Sequence, residues 1–264
     1  MGHSLELILF ENDVENARQM IRAGISSFLV DIEVLGKNFR QLGFDTEIRP
    51  GTWEQLKAIS TIEKAKTWCR INRFGRHTAN EIEMAIGSGA RVVLLPMVTS
   101  LAEVESILDM IGKRCQAGIM IETQEALLLA PQINQLPIDY AFFGLIDFAI
   151  SRGGGSIFKA LCDGSVATAR TSLSSIRFGV GGLTDLHRGH PIPSIRLLQE
   201  FHRLGCNFTF LRRSFRRDSM LKPPAEIVRE IHICWQQCLA RSEAERQSDY
   251  RELAFLVGRI ESNV

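Results

Sequence analysis

Gly118-Ile119-Met120-Ile121-Glu122-Thr123, followed by the amphipathic residues 123–130 and then by Tyr140-Ala141-Phe142-Phe143, reads as one strand–helix–strand unit. A short aliphatic run is the signature of a strand buried on both faces, and the periodic stretch after it supplies the crossover helix of a parallel sheet. The same alternation runs outward in both directions. Strands are expected at residues 5–10, 27–32, 67–71, 91–95, 118–121, 140–143, 177–180 and 208–211. Helices are expected at 13–23, 52–62, 79–87, 101–111, 123–130, 166–174 and 194–204. Asn12 or Asp13, Thr78 and Ser100 stand where a helix wants an N-cap. No internal repeat, linker or composition shift breaks the series. Eight such units predict a (β/α)8 TIM barrel.

The barrel is expected over residues 1–222, with a C-terminal helical extension over 223–264. In that extension Ile227, Ile231, Trp235 and Leu239 recur every four residues, and a second short helix is expected at 250–260 after a polar stretch. The stripe has two readings. It is a subunit contact that makes the protein a homo-oligomer, or it is the eighth barrel helix packing on its own subunit.

The 264 residues are 45% hydrophobic and 23% charged, which suits a soluble globular chain. Lys and Arg number 31 against 30 Asp and Glu, so no global field advertises nucleic acid or membrane, and neither is expected as a partner. Six cysteines without a Cys-x-x-Cys pair read as reduced thiols. The N-terminal run 5–10 carries a Glu, lacks a basic leader and is too short for a signal peptide. No apolar run approaches the ~20 residues of a membrane helix. A cytoplasmic protein is expected.

Side chains at the C-terminal tips of barrel strands converge on one pocket, so the polar residues that end the apolar runs belong together. They are Asp31 and Glu33 after the second strand, Arg70 and Asn72 after the third, Glu122 after the fifth, and Asp147 in the turn after the sixth. Two carboxylates from adjacent strands with no nearby His or Cys disfavour zinc and suit Mg²⁺ or Mn²⁺. A cation held this way leaves positions open to chelate the carboxylate and keto oxygens of a 2-keto acid. Taken singly, Glu122 is also an ordinary helix N-terminal carboxylate, Asp147 a turn former and Arg70 an ion-pair partner.

The set Val30-Asp31-Ile32-Glu33, Gly36-Lys37, Arg70-Ile71-Asn72, Leu94-Leu95-Pro96-Met97-Val98, Met120-Ile121-Glu122-Thr123 and Phe143-Gly144-Leu145-Ile146-Asp147 resembles the aldolase/citrate lyase family of phosphoenolpyruvate- and pyruvate-binding TIM barrels. The resemblance runs in order over residues 5–215. It implies a metal-dependent carbon–carbon lyase in which Glu122 and Asp147 hold the metal and Arg70 stabilises a pyruvate-type enolate. It also implies substrate contacts from Arg70 and from the Gly144, Leu145 and Ile146 segment, and assembly into a homo-oligomer. The chain departs from the family at Val34, where the hydroxy-keto-acid aldolases carry a catalytic His and the citrate lyases an acidic residue. Asp31 and Glu33 are the nearest candidates for a general base, and a metal-bound water is another. Their other reading is as partners of Lys37 or Arg70 that organise the mouth.

The loops Gly179–His190 and Leu211–Arg217 join glycines to arginines, among them Arg212, in the place where TIM barrels often bind an anionic group. Gly153-Gly154-Gly155 reads as a mobile lid or as plain loop. The expected substrate is a small keto acid or other carboxylate. Two further readings stand beside the aldolase: a phosphoenolpyruvate- or acyl-CoA-handling lyase on the same metal site, and a catalytically silent barrel that binds an anionic metabolite.

Overall fold

The computed structural model describes residues 4–36 and 50–262. The expected position of Lys37 lies outside them. Eight parallel strands, β1 (Glu6–Phe10), β2 (Ser27–Asp31), β3 (Lys66–Arg70), β4 (Val92–Leu95), β5 (Gln116–Ile121), β6 (Tyr140–Phe143), β7 (Arg177–Val180) and β8 (Phe208–Phe210), pair in chain order, and β8 returns to β1 to close the barrel. Each expected strand is present, with its ends moved by two residues at most. The fold is a (β/α)8 TIM barrel.

Helices α1 (Val14–Arg22), α2 (Trp53–Ser60), α3 (Thr78–Gly87), α4 (Leu101–Ile111) and α5 (Gln124–Ile133) follow the first five strands. Their starts obey local chemistry. The Asp13 side chain accepts the Asn16 N–H, Ser100 accepts from Glu103, Thr123 accepts from Ala126, and Thr52 forms a reciprocal capping box with Gln55. Thr78 does not cap α3 as expected. It is the first helical residue, and its hydroxyl accepts the N–H of Gly75 at 2.8 Å, tightening the preceding turn.

After β6 come α6 (Leu145–Ser151), the single turn α7 (Lys159–Cys162) and α8 (Ser165–Ser172); after β7 comes α9 (Ser194–Arg203) and after β8 α10 (Ser214–Leu221). Two expectations are corrected here. Asp147 sits in the first turn of a helix rather than in a plain turn, and the second half of the basic loop after β8 is helical.

Helix α11 (Pro224–Leu239) packs on α1 and α9, which buries Ile227, Ile231 and Trp235 within the same chain. Only Leu239 of the stripe is left exposed, at 47%. The stripe is therefore covered by its own barrel and supplies no argument for a subunit contact. Helix α12 (Glu243–Glu261) starts seven residues earlier than expected, at a capping box between Ser242 and Glu245. Its polar first half hides the helical period, because only Leu253 and Val257 are buried. It packs on α9 and α7, and the carboxylate of Glu261 accepts the N–H of Ser156, which holds the end of the triple-glycine segment.

Alternating side chains split the core into two. Ile8, Leu29, Trp68, Leu94, Tyr140 and Phe208 fill the barrel, while their neighbours, such as Leu7, Cys69 and Val93, face the helices. Each large apolar side chain so buried contributes roughly 1.5–3 kcal/mol. At the N-terminal end, Glu6 bridges Lys66 and Arg177, each at 3.0 Å. The Tyr140 hydroxyl accepts from Lys66 at 2.7 Å and Arg177 at 3.1 Å, and donates to Gln116 at 3.4 Å.

Candidate active site

Register places the first pair. Asp31 and Arg70 are opposite residues at the ends of β2 and β3, so their side chains emerge side by side. Arg70 Nε and Nη2 donate to Asp31 Oδ1 and Oδ2 at 2.9 and 2.7 Å, a two-pronged pair that uses the planar guanidinium fully. Glu33 stands 3.5 Å from Arg70 Nε, while among the described residues Nη1 touches only the Met120 sulfur, at 3.8 Å. Burial pulls the Arg70 guanidinium towards neutrality, but the charges and hydrogen bonds of Asp31, with Glu33 and Glu122, overcome it and hold the group above its ordinary value. Of the two readings for Asp31, the ion-pair partner of Arg70 is the one the geometry displays.

Glu122, one residue beyond β5, is 2% exposed. Its Oε2 accepts the backbone N–H of Met97 at 3.1 Å, and Met97 takes a left-handed φ of 54° that aims this N–H. A Cβ on Gly144 would lie 2.5 Å from Glu122 Cγ and Oε1, so the carboxylate occupies room that only glycine leaves. Burial first, then the negative charges of Asp147 and Glu33, push the Glu122 carboxyl up to about 8, against the pull of Arg70 and the Met97 amide. Asp147 is itself buried, in the first turn of α6, beside the buried Leu145.

The sequence reading thus named five side chains that the fold gathers at one mouth: Asp31, Glu33, Arg70, Glu122 and Asp147. It missed three further parts. The Met97 amide is backbone chemistry and leaves no mark in a side-chain pattern. Glu81 of α3 accepts both the N–H and the side-chain amide of Asn72, at 2.9 and 2.7 Å, and Asn72 Oδ1 then accepts the N–H groups of Val34 and Leu35, each at 2.8 Å. That relay fixes the path of the chain just past Glu33. The third part is an apolar wall: Phe142 and Phe210 stack with centroids 3.9 Å apart, Phe10 meets Phe210 edge-on at 5.5 Å, and Arg70 lies 5.5 Å over the Phe10 ring.

Arg212 lies two residues beyond β8 on the same end of the barrel. Among the described residues no set of three or more His, Cys, Asp and Glu side chains is grouped to hold a metal ion. No described helix is long and apolar enough to cross a membrane.

A closed barrel with its polar residues at the strand tips defines the class. Among solved structures of that class, the chain is similar to the citrate lyase β subunit from M. tuberculosis complexed with oxaloacetate and magnesium, with a TM-score of 0.61, 17% identity, and coverage of 87% of this chain and 97% of that one. It is similar also to a citrate lyase from Burkholderia xenovorans, at TM-score 0.62 and 10% identity over 98% of this chain and 92% of that one. A third is RipC from Yersinia pestis, at 0.59 and 14% over 91% and 97%. These likenesses are likenesses of fold. No protein-family model matches the chain, and no curated protein matches it.

Proposed function

We propose that this barrel is a divalent-metal-dependent carbon–carbon lyase of the aldolase/citrate lyase type, working through the enolate of pyruvate or a related 2-keto acid. The observation that carries the reading is Glu122. Burial, and then the charges of two buried neighbours, Asp147 and Glu33, raise the Glu122 carboxyl to about 8, although Arg70 is beside them. Such crowding disfavours the empty site and favours a bound cation. Glu122 and Asp147 would hold Mg²⁺ or Mn²⁺: both are oxygen donors, and Gly144 keeps the side of Glu122 clear. When bound, the metal supplies Lewis-acid polarisation of the keto acid. The solved citrate lyase β subunit with oxaloacetate and magnesium supports that reading by its shared fold.

The chain's own groups take the remaining roles. Arg70 donates to the keto oxygen as negative charge builds there, through the nitrogen that Asp31 leaves uncommitted. Asp31, with both oxygens on Arg70, is a positioning residue. Glu33 is then the proton carrier: it takes the hydroxyl proton of a 4-hydroxy-2-keto acid as the C3–C4 bond breaks, and returns it to C3 of the enolate to release pyruvate. The Phe10, Phe142 and Phe210 wall keeps water from the enolate. The Gly144 N–H is already given to Ile121 O, at 3.1 Å, so the N–H groups of Leu145 and Ile146 at the start of α6 are the ones left to orient the substrate carboxylate.

The test is solvent deuterium exchange at the pyruvate methyl group, followed by proton NMR. Metal-dependent exchange is expected; its absence at high protein concentration with Mg²⁺ and Mn²⁺ overturns the reading.

A further inference from the structure

Past β7 and β8 the sheet continues by one more rung. Gly182 N–H donates to Phe210 O at 3.0 Å, Arg212 N–H donates to Leu183 O at 2.7 Å, and Leu183 and Leu211 form a parallel bridge. This rung holds the backbone of Arg212 rigidly at the mouth. Its half-buried side chain is treated differently from buried Arg70. Arg70 is held by a two-pronged ion pair with Asp31, whereas Arg212 makes no ion pair among the described residues. Its Nη1 has one long contact, 3.4 Å to His190 O, and its Nη2 is covered and has no hydrogen-bond partner.

The carboxylate that influences it most, Asp218, is already committed: it accepts the Thr184 hydroxyl at 2.6 Å and lies 3.8 Å from Arg188 and 3.9 Å from Arg217. Burial accordingly draws the Arg212 guanidinium below its ordinary value. A covered guanidinium without a counter-ion is costly, and an oxyanion that fits its planar fork removes the cost. Two flanking loop positions place no Cβ against it. Gly182 and Gly189, at φ 134° and 106°, flank the group, and a Cβ on them would stand 3.6 Å from Nε and 3.3 Å from Nη1. The Phe158 ring, 5.6 Å from Arg212 Cζ, closes another side.

We propose that Arg212 anchors a second anion subsite, which takes the carboxylate or phosphate oxyanion at the far end of an elongated substrate. This rests on the lyase reading and deepens it by naming the substrate class: a 2-keto acid with a second anionic end. Strands β1 and β2 stand between β8 and β3, at about 4.8 Å per strand, so one pyruvate does not reach both arginines.

The experiment is calorimetric titration of the metal-free, full-length protein with inorganic phosphate, succinate and pyruvate, for wild type and Arg212→Met. The variant is expected to bind phosphate or succinate at least tenfold more weakly and pyruvate unchanged, with Arg212→Lys intermediate. The probe that loses affinity identifies phosphate or carboxylate as the terminal group. Equal binding of both anions by wild type and Arg212→Met, or no binding of either by wild type, overturns the subsite. Should Arg212→Met fail to fold, wild-type protein is labelled with phenylglyoxal and digested. Protection of Arg212 by phosphate or succinate is expected, and labelling unaffected by either overturns the proposal. Neither measurement involves turnover or metal, so a failed exchange assay and a failed subsite are separate results.

Discussion

The two ends of the barrel are built from the same strands and balanced in opposite ways. At the N-terminal end Glu6 meets Lys66 and Arg177, and the Tyr140 hydroxyl ties both cations together and reaches Gln116. Each charge there is answered by its neighbour. At the C-terminal end Arg70 meets Asp31 and Glu33, and the charges of Asp147 and Glu33 both bear on buried Glu122. Like charges crowded inside a fold are a stability cost, and the cation proposed for this end would relieve it.

The comparison breaks most sharply at Arg70. Arg70→Lys keeps the charge but loses the two-pronged grip on Asp31, and the rate of pyruvate exchange should fall by about 10²–10³-fold. Turnover equal to wild type would remove Arg70 from the chemistry. Next come Glu122→Gln and Asp147→Asn, each of which should weaken Mn²⁺ binding by roughly 10–100-fold, measured by water proton relaxation. Wild-type affinity in both would mean that the metal pair is wrongly assigned.

The opposite end supplies the contrast. Tyr140→Phe removes the hydroxyl shared by Lys66, Arg177 and Gln116, leaves both cations on Glu6, and should cost about 1–3 kcal/mol in denaturant unfolding, with Mn²⁺ affinity unaltered. Weaker metal binding in this variant would show that the two ends are not independent. The smallest effect concerns pH. Glu122 titrates at about 8 in the fold against 4.5 as the ordinary value, so the folded state favours the protonated carboxyl. Stability from this group is complete below pH 4.5 and is lost as pH rises towards 8. Metal-free Glu122→Gln should therefore melt higher than wild type at pH 8, with the gap closing towards pH 5; a gap independent of pH would argue against the buried Glu122 charge as its cause.

The barrel was legible because each strand is a short, separately bounded aliphatic run, and the site was legible because its side chains stand directly after such runs: Asp31, Arg70 and Glu122 each end or follow a strand. Asp147 was found by position while its helix was missed, since Leu145-Ile146-Asp147-Phe148 carries no period that separates a helix turn from a loop. The first half of α12 was missed for the opposite reason: its residues face solvent, and only the Ser242–Glu245 capping box announced it. Residues 227–239 gave a correct helix with two possible partners, because a stripe records that a face is covered and not by what. Glu81 was beyond reach altogether: nothing in an amphipathic helix says which of its acids turns inward to hold an asparagine.

The contact between Gly144 and Glu122 has a consequence for inheritance. With 2.5 Å between the glutamate and the place a Cβ would fill, neither position is free to drift while the other stays as it is. Among descendants of this chain, a glutamate at 122 should travel with a glycine at 144, and any lineage that acquires a side chain at 144 should first have shortened or lost the acid. The two positions, 22 residues apart, behave as one heritable character, and their joint state can be used to sort barrels that keep this mouth from those that have given it up.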